Sequence, residues 1–223
     1  MRNTYRYGGP AGCGAKTQGP TEISALIVDR HCESTLRAQA EDFIAARYRK
    51  KYQANIQSYL PNLMVVRDRP GSILAVAGYR AANQETLFVE NYLDQPVERC
   101  IDGALCQRDD APGRHQIVEI GSLASVCSSA SLLLFQQLAL HLVRCGYRWV
   151  TVTGCPALLR LLRRLRLRLS EIGAARQSRL PTSRDNWGTY YSNNPSVVAG
   201  QLSSSRWLCE QRNLIQAKPE VSP

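Results

Sequence analysis

Two apolar segments joined by a short turn set the strictest limit on the fold of this chain. The segments are NLMVVRD (62–68) and ILAVAGYRAA (73–82), and both are rich in β-branched and small apolar residues. The residues between them, RPGS, include Pro70 and Gly71, which are favoured in turns. The pattern therefore predicts an antiparallel β-hairpin in the middle of the domain.

The segments on either side of the hairpin predict further strands and helices. From hydrophobic periodicity we expect strands over 24–30, 115–126 and 149–154, and helices over 34–52, with Ser34 as N-cap, 129–145 and 157–172. The last two strands are each followed by a helix. This order predicts an α/β fold of the α+β type, in which a single domain has a central mixed β-sheet flanked by helices.

Length and composition are those of one globular domain with tails. The chain has 223 residues, of which 44% are hydrophobic and 21% are charged. We expect a flexible N-terminal leader over 1–22, the folded domain over 23–202 and a polar C-terminal tail over 203–223. The leader has no apolar run typical of a secretory signal, and the run 132–143 is too short for a membrane span of about 20 residues. We therefore expect a cytoplasmic protein, with peripheral contact at a membrane as a further expectation.

A formal net charge of +10, from 28 Lys and Arg against 18 Asp and Glu, suggests an anionic partner. Aromatic residues make up only 7% and do not alternate with basic residues, so the sequence does not indicate nucleic acid binding. The eight cysteines form no C-x-x-C pair and accompany three histidines, so we expect no metal site. Cys155, at the start of a predicted helix, is one candidate nucleophile, with packing as the alternative.

The segment ALLRLLRRLRLRLSEI (157–172) predicts a strongly basic amphipathic helix. Most of its leucines fall in one sector at about 100° per residue, and arginines fill the rest. These arginines are Arg160, Arg163, Arg164, Arg166 and Arg168. Two interpretations stay open: the arginines face solvent on a helix that packs on the core, or they bind anionic lipid or an acidic carrier protein.

Three charged side chains lie in or beside apolar segments. They are Glu119 in VEIGSLASV, Arg80 in VAGYRAA and Glu90 in LFVENYL. A buried carboxylate is costly unless it is paired, and its raised pKa suits it to accept a proton from an amine or hydroxyl nucleophile. The alternatives are that Glu119 faces solvent on an alternating strand, or that an arginine and carboxylates form a structural pair.

Five segments together resemble the thermostable hemolysin family of bacterial proteins. They are, in order, VAGYRAA, LFVENYLDQPVE, IVEIGSLAS, YRWVTVTG and WGTYYSNNPSVVAGQL, within roughly residues 23–202. That family is in turn distantly similar to acyl-homoserine lactone synthases and to the N-acetyltransferase (GNAT) superfamily. The resemblance implies a GNAT-like, autoinducer-synthase-like domain. It also implies that Arg80 and Glu119 match the synthases' arginine of the third strand and glutamate of the fourth, which binds or deprotonates the amine.

Two departures from the synthases and acetyltransferases affect the expected substrates. The arginine that follows the synthases' glutamate is replaced near Leu123, which leaves the amine open. The glycine-rich pyrophosphate loop is absent from SVCSSASLLLF, which argues against ordinary acetyl-CoA as donor. Ser128, Ser129 and Ser131 still offer hydroxyl groups and a helix N-terminus to a phosphate.

The resemblance implies an acyltransferase that moves a fatty acyl group from a thioester donor to a small amine or hydroxyl acceptor. The donor is an acyl-carrier protein or acyl-CoA, which acts as co-substrate, and no cofactor is permanently bound. We expect Glu119, Arg80 and Glu90 to be catalytic. The expected donor-binding residues are Ser128, Ser129, Ser131, Arg160, Arg163 and Arg164.

On the acceptor side we expect Asp94 and Glu98, which lie with Glu90 in LFVENYLDQPVE (87–98), together with Phe88 and Leu123. The alternative for the acids is that they balance neighbouring arginines. Trp187 and Tyr190 lie in the uncharged segment WGTYYSNNPSVVAG, which is expected to return to the sheet and close one wall of an apolar acyl pocket. Their alternative is a role in the core without ligand contact.

Two alternative functions stay open at this point. The first is a membrane-active cytolysin that uses the basic helix, as the family name suggests. The second is a non-catalytic partner that binds a carrier protein.

Overall fold

The computed structural model describes residues 3–6, 22–30, 35–105, 112–164, 167–181 and 185–202. These residues form one eight-stranded mixed sheet with helices on both faces, which confirms the predicted fold class. The strands are β1 (Asn3–Arg6), β2 (Glu22–Asp29), β3 (Asn62–Arg67), β4 (Ile73–Ala81), β5 (Ile117–Ser125), β6 (Trp149–Gly154), β7 (Leu169–Ala174) and β8 (Ser196–Gln201). The helices are α1 (Thr35–Tyr52), α2 (Val97–Leu105), α3 (Ser128–Arg144) and α4 (Pro156–Arg163).

The sheet has the strand order β1-β2-β3-β4-β5-β6-β8-β7. Only the β5–β6 pair is parallel among these strands, and its crossover is α3. The predicted hairpin is confirmed as β3 and β4, which pair antiparallel with Met64 opposite Ala77. The mixed sheet follows from one crossover connection inserted into an otherwise antiparallel arrangement.

Helices bury both faces of the sheet. On one face, α3 and α4 pack on a core that includes Val66, Val118, Ile120, Val150, Leu134 and Leu138. On the other face, α1 packs on β2 to β5 through Ala40 and Ile44. Beside α1 on that face, segment 87–93 and α2 pack on Ile117 and Trp149.

Strands β5 and β6 separate part of the way along their length. Their pairing runs from Ile117 with Trp149 to Ile120 with Val152, while β5 continues to Ser125. At this point β5 also has a β-bulge, because Gly121 pairs with Gly78 and Ala124 with Val76. The separation leaves a gap in the sheet beside the bulge.

One predicted helix is wrong over half of its length. The helix expected over 157–172 ends as α4 at Arg163, and Leu169–Ala174 forms β7, which pairs antiparallel with β8. Leu169 and Ile172, which fall within the predicted helix, are instead partly buried against the sheet. Pairing with the exposed edge of β8 outweighs the helical periodicity of the leucines. No continuous basic helix therefore runs from Arg160 to Arg168.

The N-terminal leader is also partly wrong. Asn3–Arg6, predicted to be flexible, form β1 and pair with β2, which itself begins at Glu22. The open backbone groups of the β2 edge provide the partners that the sequence of the leader does not suggest. The predicted tail over 203–223 and the predicted cap Ser34 lie outside the described residues.

Candidate functional site

Glu119 lies at the centre of the sheet, in β5 and directly opposite Arg80 of β4. Glu119 is only 4% exposed, so its carboxylate faces the interior and not solvent. Oε2 lies 3.1 Å from Nε of Arg80. Burial raises the pKa of Glu119 to about 7, although the Arg80 charge and two backbone N–H groups act to lower it. A carboxyl with this pKa exchanges a proton near neutral pH.

Segment 87–91 covers the Glu119 carboxylate. The backbone N–H of Phe88 donates to Oε2 at 2.8 Å, and that of Val89 donates to Oε1 at 3.1 Å. Phe88–Asn91 form a short 3-10 helix whose first residues supply these donors. Both carboxylate oxygens are therefore fixed in position.

The three acids of segment 87–98 have different partners from Glu119. Glu90 forms a bidentate ion pair with Arg114, at 2.7 and 3.0 Å, and Arg114 also contacts Glu98 at 2.8 Å. Glu90 further accepts hydrogen bonds from the backbone of Leu87 and Val97. Although partial burial opposes the effect, the contacts with Arg114 and the backbone lower the pKa of Glu90.

These acids thus stabilise the loop and do not line the two cavities described below. Asp94 is a surface residue whose side chain is 87% exposed and pairs with Arg179 at 2.7 Å. The expectation that Glu90, Asp94 and Glu98 lie on the acceptor side is therefore not met by their positions, because arginines from later segments already bind them. The partners are Arg114 and Arg179, which lie later in the chain, and not the arginines next to these acids in sequence.

A large cavity opens where β5 and β6 separate. Its volume is about 670 Å³, and its apolar lining includes Ile120, Leu123, Phe135, Val152 and Leu158. The start of α3 contributes Cys127, Ser128 and Ser131. Basic residues from α1, from α4 and from the C-cap of α4 complete the wall, namely Arg47, Lys50, Lys51, Arg160 and Arg164. Within the described part of the chain, no acidic residue lines this cavity, so it suits an anionic molecule with an apolar portion.

A smaller cavity of about 120 Å³ contains the Glu119 carboxylate. Arg80, Asp185 and the aromatic residues Phe88, Tyr92, Tyr59 and Trp187 also line it. The two cavities share six lining residues: Tyr48, Ile120, Gly121, Ser122, Thr153 and Tyr190. Because these residues border both spaces, the two cavities meet at the bulge of β5. Ser122, at the bulge, has a left-handed backbone with φ of 48°.

The aromatic wall comes mainly from the segment before β8. Tyr190 is buried as expected, whereas Trp187 is half-buried. Trp187 packs against Phe88 and Tyr190 with ring centroids 5.8 and 5.4 Å apart. Both residues line the smaller cavity, and Tyr190 also lines the larger one. The structure therefore places Trp187 beside Glu119 and not in the large apolar cavity.

Backbone contacts fix this aromatic segment to the end of α1. Asn186 and Asn55 exchange backbone hydrogen bonds of 2.6 and 3.0 Å, and the N–H of Thr189 donates to the carbonyl of Tyr52 at 2.8 Å. Asp185 accepts from the backbone N–H groups of Gln57 and Ser58. These contacts bring two segments that are distant in sequence together over the smaller cavity.

The expected donor-binding residues divide into two groups. Ser128, Ser131, Arg160 and Arg164 line the larger cavity. Ser129 and Arg163 are exposed and do not line it. Ser131 is itself engaged, since its hydroxyl contacts that of Ser125 and donates to the carbonyl of Cys127. Its role as a phosphate ligand would require this hydrogen bonding to rearrange.

Two thiols, Cys127 and Cys155, line the larger cavity, and Cys155 differs from the expectation. Burial raises the pKa of Cys155, so this residue is less suited to act as a nucleophile than its position at the start of α4 suggested. A hydrogen bond with Ser129 lowers the pKa of Cys127 at the start of α3, although partial burial opposes the shift. The described residues contain no cluster of His, Cys, Asp and Glu side chains suited to hold a metal ion.

Several residues at these cavities were not identified from the sequence. Arg47, Lys50 and Lys51 come from RYRKKY at the end of α1, where the clustered charge was a usable signal. Asp185 and Tyr48 gave no local signal, because only long-range contacts bring them to the smaller cavity. Arg114, which lines neither cavity, was also missed, since its partners in segment 87–98 precede it by 16 and 24 residues.

The sheet, its gap between two central strands and the adjoining cavities resemble the fold of acyl-homoserine lactone synthases of known structure. In structure, the chain is similar to the acyl-homoserine lactone synthase LasI, with a TM-score of 0.55 and 11% identity over 84% of this chain and 94% of that one. It is also similar to FeeM, an N-acyl amino acid synthase from uncultured soil microbes, with a TM-score of 0.52 and 12% identity over 86% and 97%.

A third similar structure is BjaI, a CoA-dependent acyl-homoserine lactone synthase solved with SAM and isopentyl-CoA. Its TM-score is 0.52, with 9% identity over 84% of this chain and 88% of that one. At these identities the likeness establishes the fold alone. By sequence, residues 31–206 match the thermostable hemolysin family, so the chain belongs to that family. No curated protein sequence matches the chain.

The described helices bear on the cytolysin alternative. None of them is both long enough and apolar enough to cross a membrane. The basic helix on which that alternative rested is short and packs through Leu159 and Leu162 into the core.

Proposed function

We propose that this protein is an acyltransferase that moves an acyl group from a thioester donor to a small amine or hydroxyl acceptor. One observation carries the proposal: two cavities of different chemical character meet at the β5 bulge, beside a buried carboxyl group. The similarity to synthases named for acyl transfer supports it.

In this proposal the larger cavity binds the donor. The β5 residues beyond Ile120 have no β6 partner in the sheet, so their backbone is available to an extended group lying in the gap. Arg47, Arg160 and Arg164 lie at the cavity and would bind the phosphates of CoA or of a carrier-protein arm. The apolar lining would receive the acyl chain. Acyl-CoA and acyl-carrier protein are both retained as donors, and because such thioesters are cytoplasmic metabolites we place the reaction in the cytoplasm.

The acceptor occupies the smaller cavity, with Glu119 as its base. The amine nitrogen attacks the thioester carbonyl, a C–N bond forms and the C–S bond breaks. One proton moves from the nitrogen to Glu119, and the sulfur leaves and takes up a proton as the free thiol, which yields an amide. For a hydroxyl acceptor the same steps yield an ester. Arg80 and the N–H groups of Phe88 and Val89 position the carboxylate for this proton transfer.

The proposal is tested by incubating the purified protein with acyl-CoA or acyl-carrier thioesters and a panel of amines and alcohols. The expected result is thiol release that depends on the acceptor, together with a product whose mass equals that of the thioester donor plus that of the acceptor minus that of the released thiol. Thiol release at the same rate without an acceptor would indicate hydrolysis. No release with any donor would leave a non-catalytic carrier-binding protein as the better account.

A further inference from the structure

A series of alternating charges connects the protein surface to the buried Glu119 carboxylate. Arg30, which directly follows β2, contacts Oε1 of Glu85 at 3.0 Å, and its side chain is 46% exposed. The other oxygen of Glu85, Oε2, lies 3.4 Å from Nη1 of Arg80. Nε of Arg80 in turn lies 3.1 Å from Oε2 of Glu119. Arg80 therefore lies between two carboxylates, one near the surface and one buried.

The outward contacts of Arg80 are made by one nitrogen of its guanidinium group. Nη1 donates to Oε2 of Glu85 at 3.4 Å and to the carbonyl oxygen of Thr86 at 3.5 Å. Nε, which belongs to the same planar group, is buried and has no hydrogen-bond partner among the described residues. Because a guanidinium group is rigid, its nitrogens do not turn independently. The contacts at Nη1 thus restrain the direction in which the N–H of Nε points.

The direction of the Arg80 side chain influences how strongly Glu119 holds a proton. A buried N–H without a partner is unfavourable, and a small turn of the side chain would direct it at the Glu119 carboxylate. A full hydrogen bond from arginine would stabilise the ionised form of Glu119 and lower its pKa. In the structure, burial of Glu119 raises its pKa to about 7 against the opposing charge of Arg80.

Other ionisable groups around Glu119 remain in place when this contact changes. Glu90, in the 3-10 helix that covers the carboxylate, acts to raise the pKa of Glu119 but is itself paired with Arg114. The ionisable residues that line the smaller cavity besides Glu119 and Arg80 are Tyr48, Tyr59, Tyr92, Asp185 and Tyr190. Burial raises the pKa of each of these tyrosines, so they are uncharged near neutral pH. Arg80 is the basic residue that lines this cavity in the described part of the chain.

We propose that Glu85 is a positioning residue, which holds Arg80 by Nη1, keeps it from forming a full hydrogen bond with Glu119 and so preserves Glu119 as a base. Removing the Glu85 carboxylate lets Arg80 turn toward Glu119 and leaves its positive charge less compensated. Both changes stabilise the ionised carboxylate and weaken its affinity for a proton. As a statement about catalysis this inference rests on the proposed function, but the proton affinity of Glu119 is measurable without any turnover.

The test is a pH titration of Glu119 in the full-length protein, followed by NMR of glutamate side chains labelled with ¹³C at the carboxyl carbon. Comparison with Glu119→Gln identifies the signal. In Glu85→Gln the midpoint of the titration should fall by about one pH unit, the scale of one opposite charge brought closer. An unchanged midpoint in Glu85→Gln would overturn the inference.

Glu171→Gln is the matched control for this titration. It makes the same charge change at an exposed residue of β7 and should keep the wild-type midpoint. An equal fall in Glu171→Gln would mean that the overall surface charge sets the midpoint and that Glu85 has no special role.

A second pair of variants tests whether Glu85 acts through Arg80. Arg80→Gln should raise the Glu119 midpoint, since a positive charge beside the carboxylate is lost. Adding Glu85→Gln to Arg80→Gln should change the midpoint little, because the residue that transmits the effect is gone. A fall of about one pH unit from Glu85→Gln both with and without Arg80 would assign the effect to the charge of Glu85 itself and contradict a positioning role.

Turnover assays separate this inference from the proposed function. If Glu119 is the base, the rise of kcat with pH should move to lower pH in Glu85→Gln by as much as the NMR midpoint, and the highest kcat should fall because the base is weaker. Acyl transfer with an unshifted NMR midpoint would keep the acyltransferase and discard the role of Glu85. A shifted midpoint with no transfer from any thioester would keep the role of Glu85 and discard the acyltransferase.

Discussion

Nε of Arg80 lies 3.1 Å from Oε2 of Glu119, yet its N–H does not point closely enough at the carboxylate to form a hydrogen bond. The two residues are direct partners in the β4–β5 pair, so the sheet itself sets their separation. The carboxylate gains charge stabilisation but not the full strength of a charge-assisted hydrogen bond. This relationship fits with burial raising the pKa of Glu119 to about 7.

The first prediction concerns catalysis by Glu119. Glu119→Gln should lower acyl transfer by about 100-fold or more, the scale of a lost general base. In the wild-type protein, kcat should rise with pH through about 7 as Glu119 loses its proton, and this limb should be absent from the Gln variant. Steady-state kinetics between pH 5.5 and 8.5, within roughly the range where this group titrates, measure both effects.

The outcome that contradicts this prediction is wild-type turnover in a folded Glu119→Gln protein. A matched control is Glu171→Gln, which changes an exposed residue in the edge strand β7. Loss of activity in both variants would point to the fold and not to the base.

The second prediction concerns stability. Because the pKa of Glu119 is about 7 when folded and near 4.5 ordinarily, the folded protein retains a proton that the unfolded chain releases. The stability from this group is therefore full below about pH 4.5 and is lost as the pH rises through about 7. As the pH rises from about 5 to about 8, the free energy of unfolding of Glu119→Gln should increase by about 2–3 kcal/mol relative to that of the wild type.

Urea unfolding of the wild-type protein and of Glu119→Gln, at about pH 5 and at about pH 8, measures this difference. The comparison uses the change with pH, since Gln also alters the hydrogen bonds from Phe88 and Val89 at every pH. A difference that does not vary with pH would mean that the Glu119 carboxyl group ionises normally.

The sequence was sufficient for the central part of this site. Glu119 stood out because a carboxyl group in an apolar strand requires a partner, and Arg80 followed from the resemblance and from its place at the end of the hairpin strand. The β3–β4 hairpin and the crossover helix α3 were predicted from local patterns, because turn residues and apolar periodicity are encoded within each segment.

The rest depended on contacts that no local pattern contains. Leucine periodicity over 157–172 fits a helix, but β7 forms because β8, which lies later in the chain, offers an open edge. Glu90 and Glu98 were expected at the acceptor. That expectation was not met, because the segment itself does not reveal that Arg114, which lies later in the chain, pairs with both acids. Asp185 was missed for the same reason, as the Asn55–Asn186 bridge that positions it spans distant segments.

The third prediction concerns the donor. Replacing Arg160 and Arg164 with Glu should raise the KM for a thioester donor by about tenfold or more, because both residues line the larger cavity and would contact anionic groups of the donor. Higher salt should weaken donor binding by the wild-type protein in the same direction. Initial rates against donor concentration, for acyl-CoA and for an acyl-carrier protein, provide the measurement.

Arg163→Glu is the matched control for this prediction. Compared with each single variant, Arg160→Glu or Arg164→Glu, it makes the same charge reversal at an exposed residue that does not line the cavity. If Arg163→Glu changes the KM for acyl-CoA little and the KM for the acyl-carrier protein strongly, the basic surface outside the cavity would be a docking site for the carrier protein. An equal rise in KM from Arg163→Glu and from the double variant would contradict a specific role of the cavity arginines.

The fourth prediction concerns the contact between the aromatic segment and the end of α1. Gly188 has φ of 49°, and a Cβ there would overlap the carbonyl oxygen of Tyr52 and lie 2.8 Å from backbone atoms of Gln53. Gly188→Ala should therefore displace the segment that carries Asp185, Trp187 and Tyr190, and so weaken acceptor binding. The expected loss of affinity is about tenfold or more, since the cavity wall moves as a unit.

Gly146→Ala separates this effect from backbone strain alone. Gly146 also has a positive φ, of 87°, but a Cβ there meets no atom within 4 Å. That variant should lose about 1–2 kcal/mol, the cost of a left-handed backbone for a residue other than glycine, with acceptor affinity unchanged. Gly188→Ala should lower the Tm further and also shift tryptophan emission, because Trp187 packs in the displaced segment. If the two variants have the same Tm and the same acceptor affinity, the bridge between Asn55 and Asn186 does not position the cavity wall.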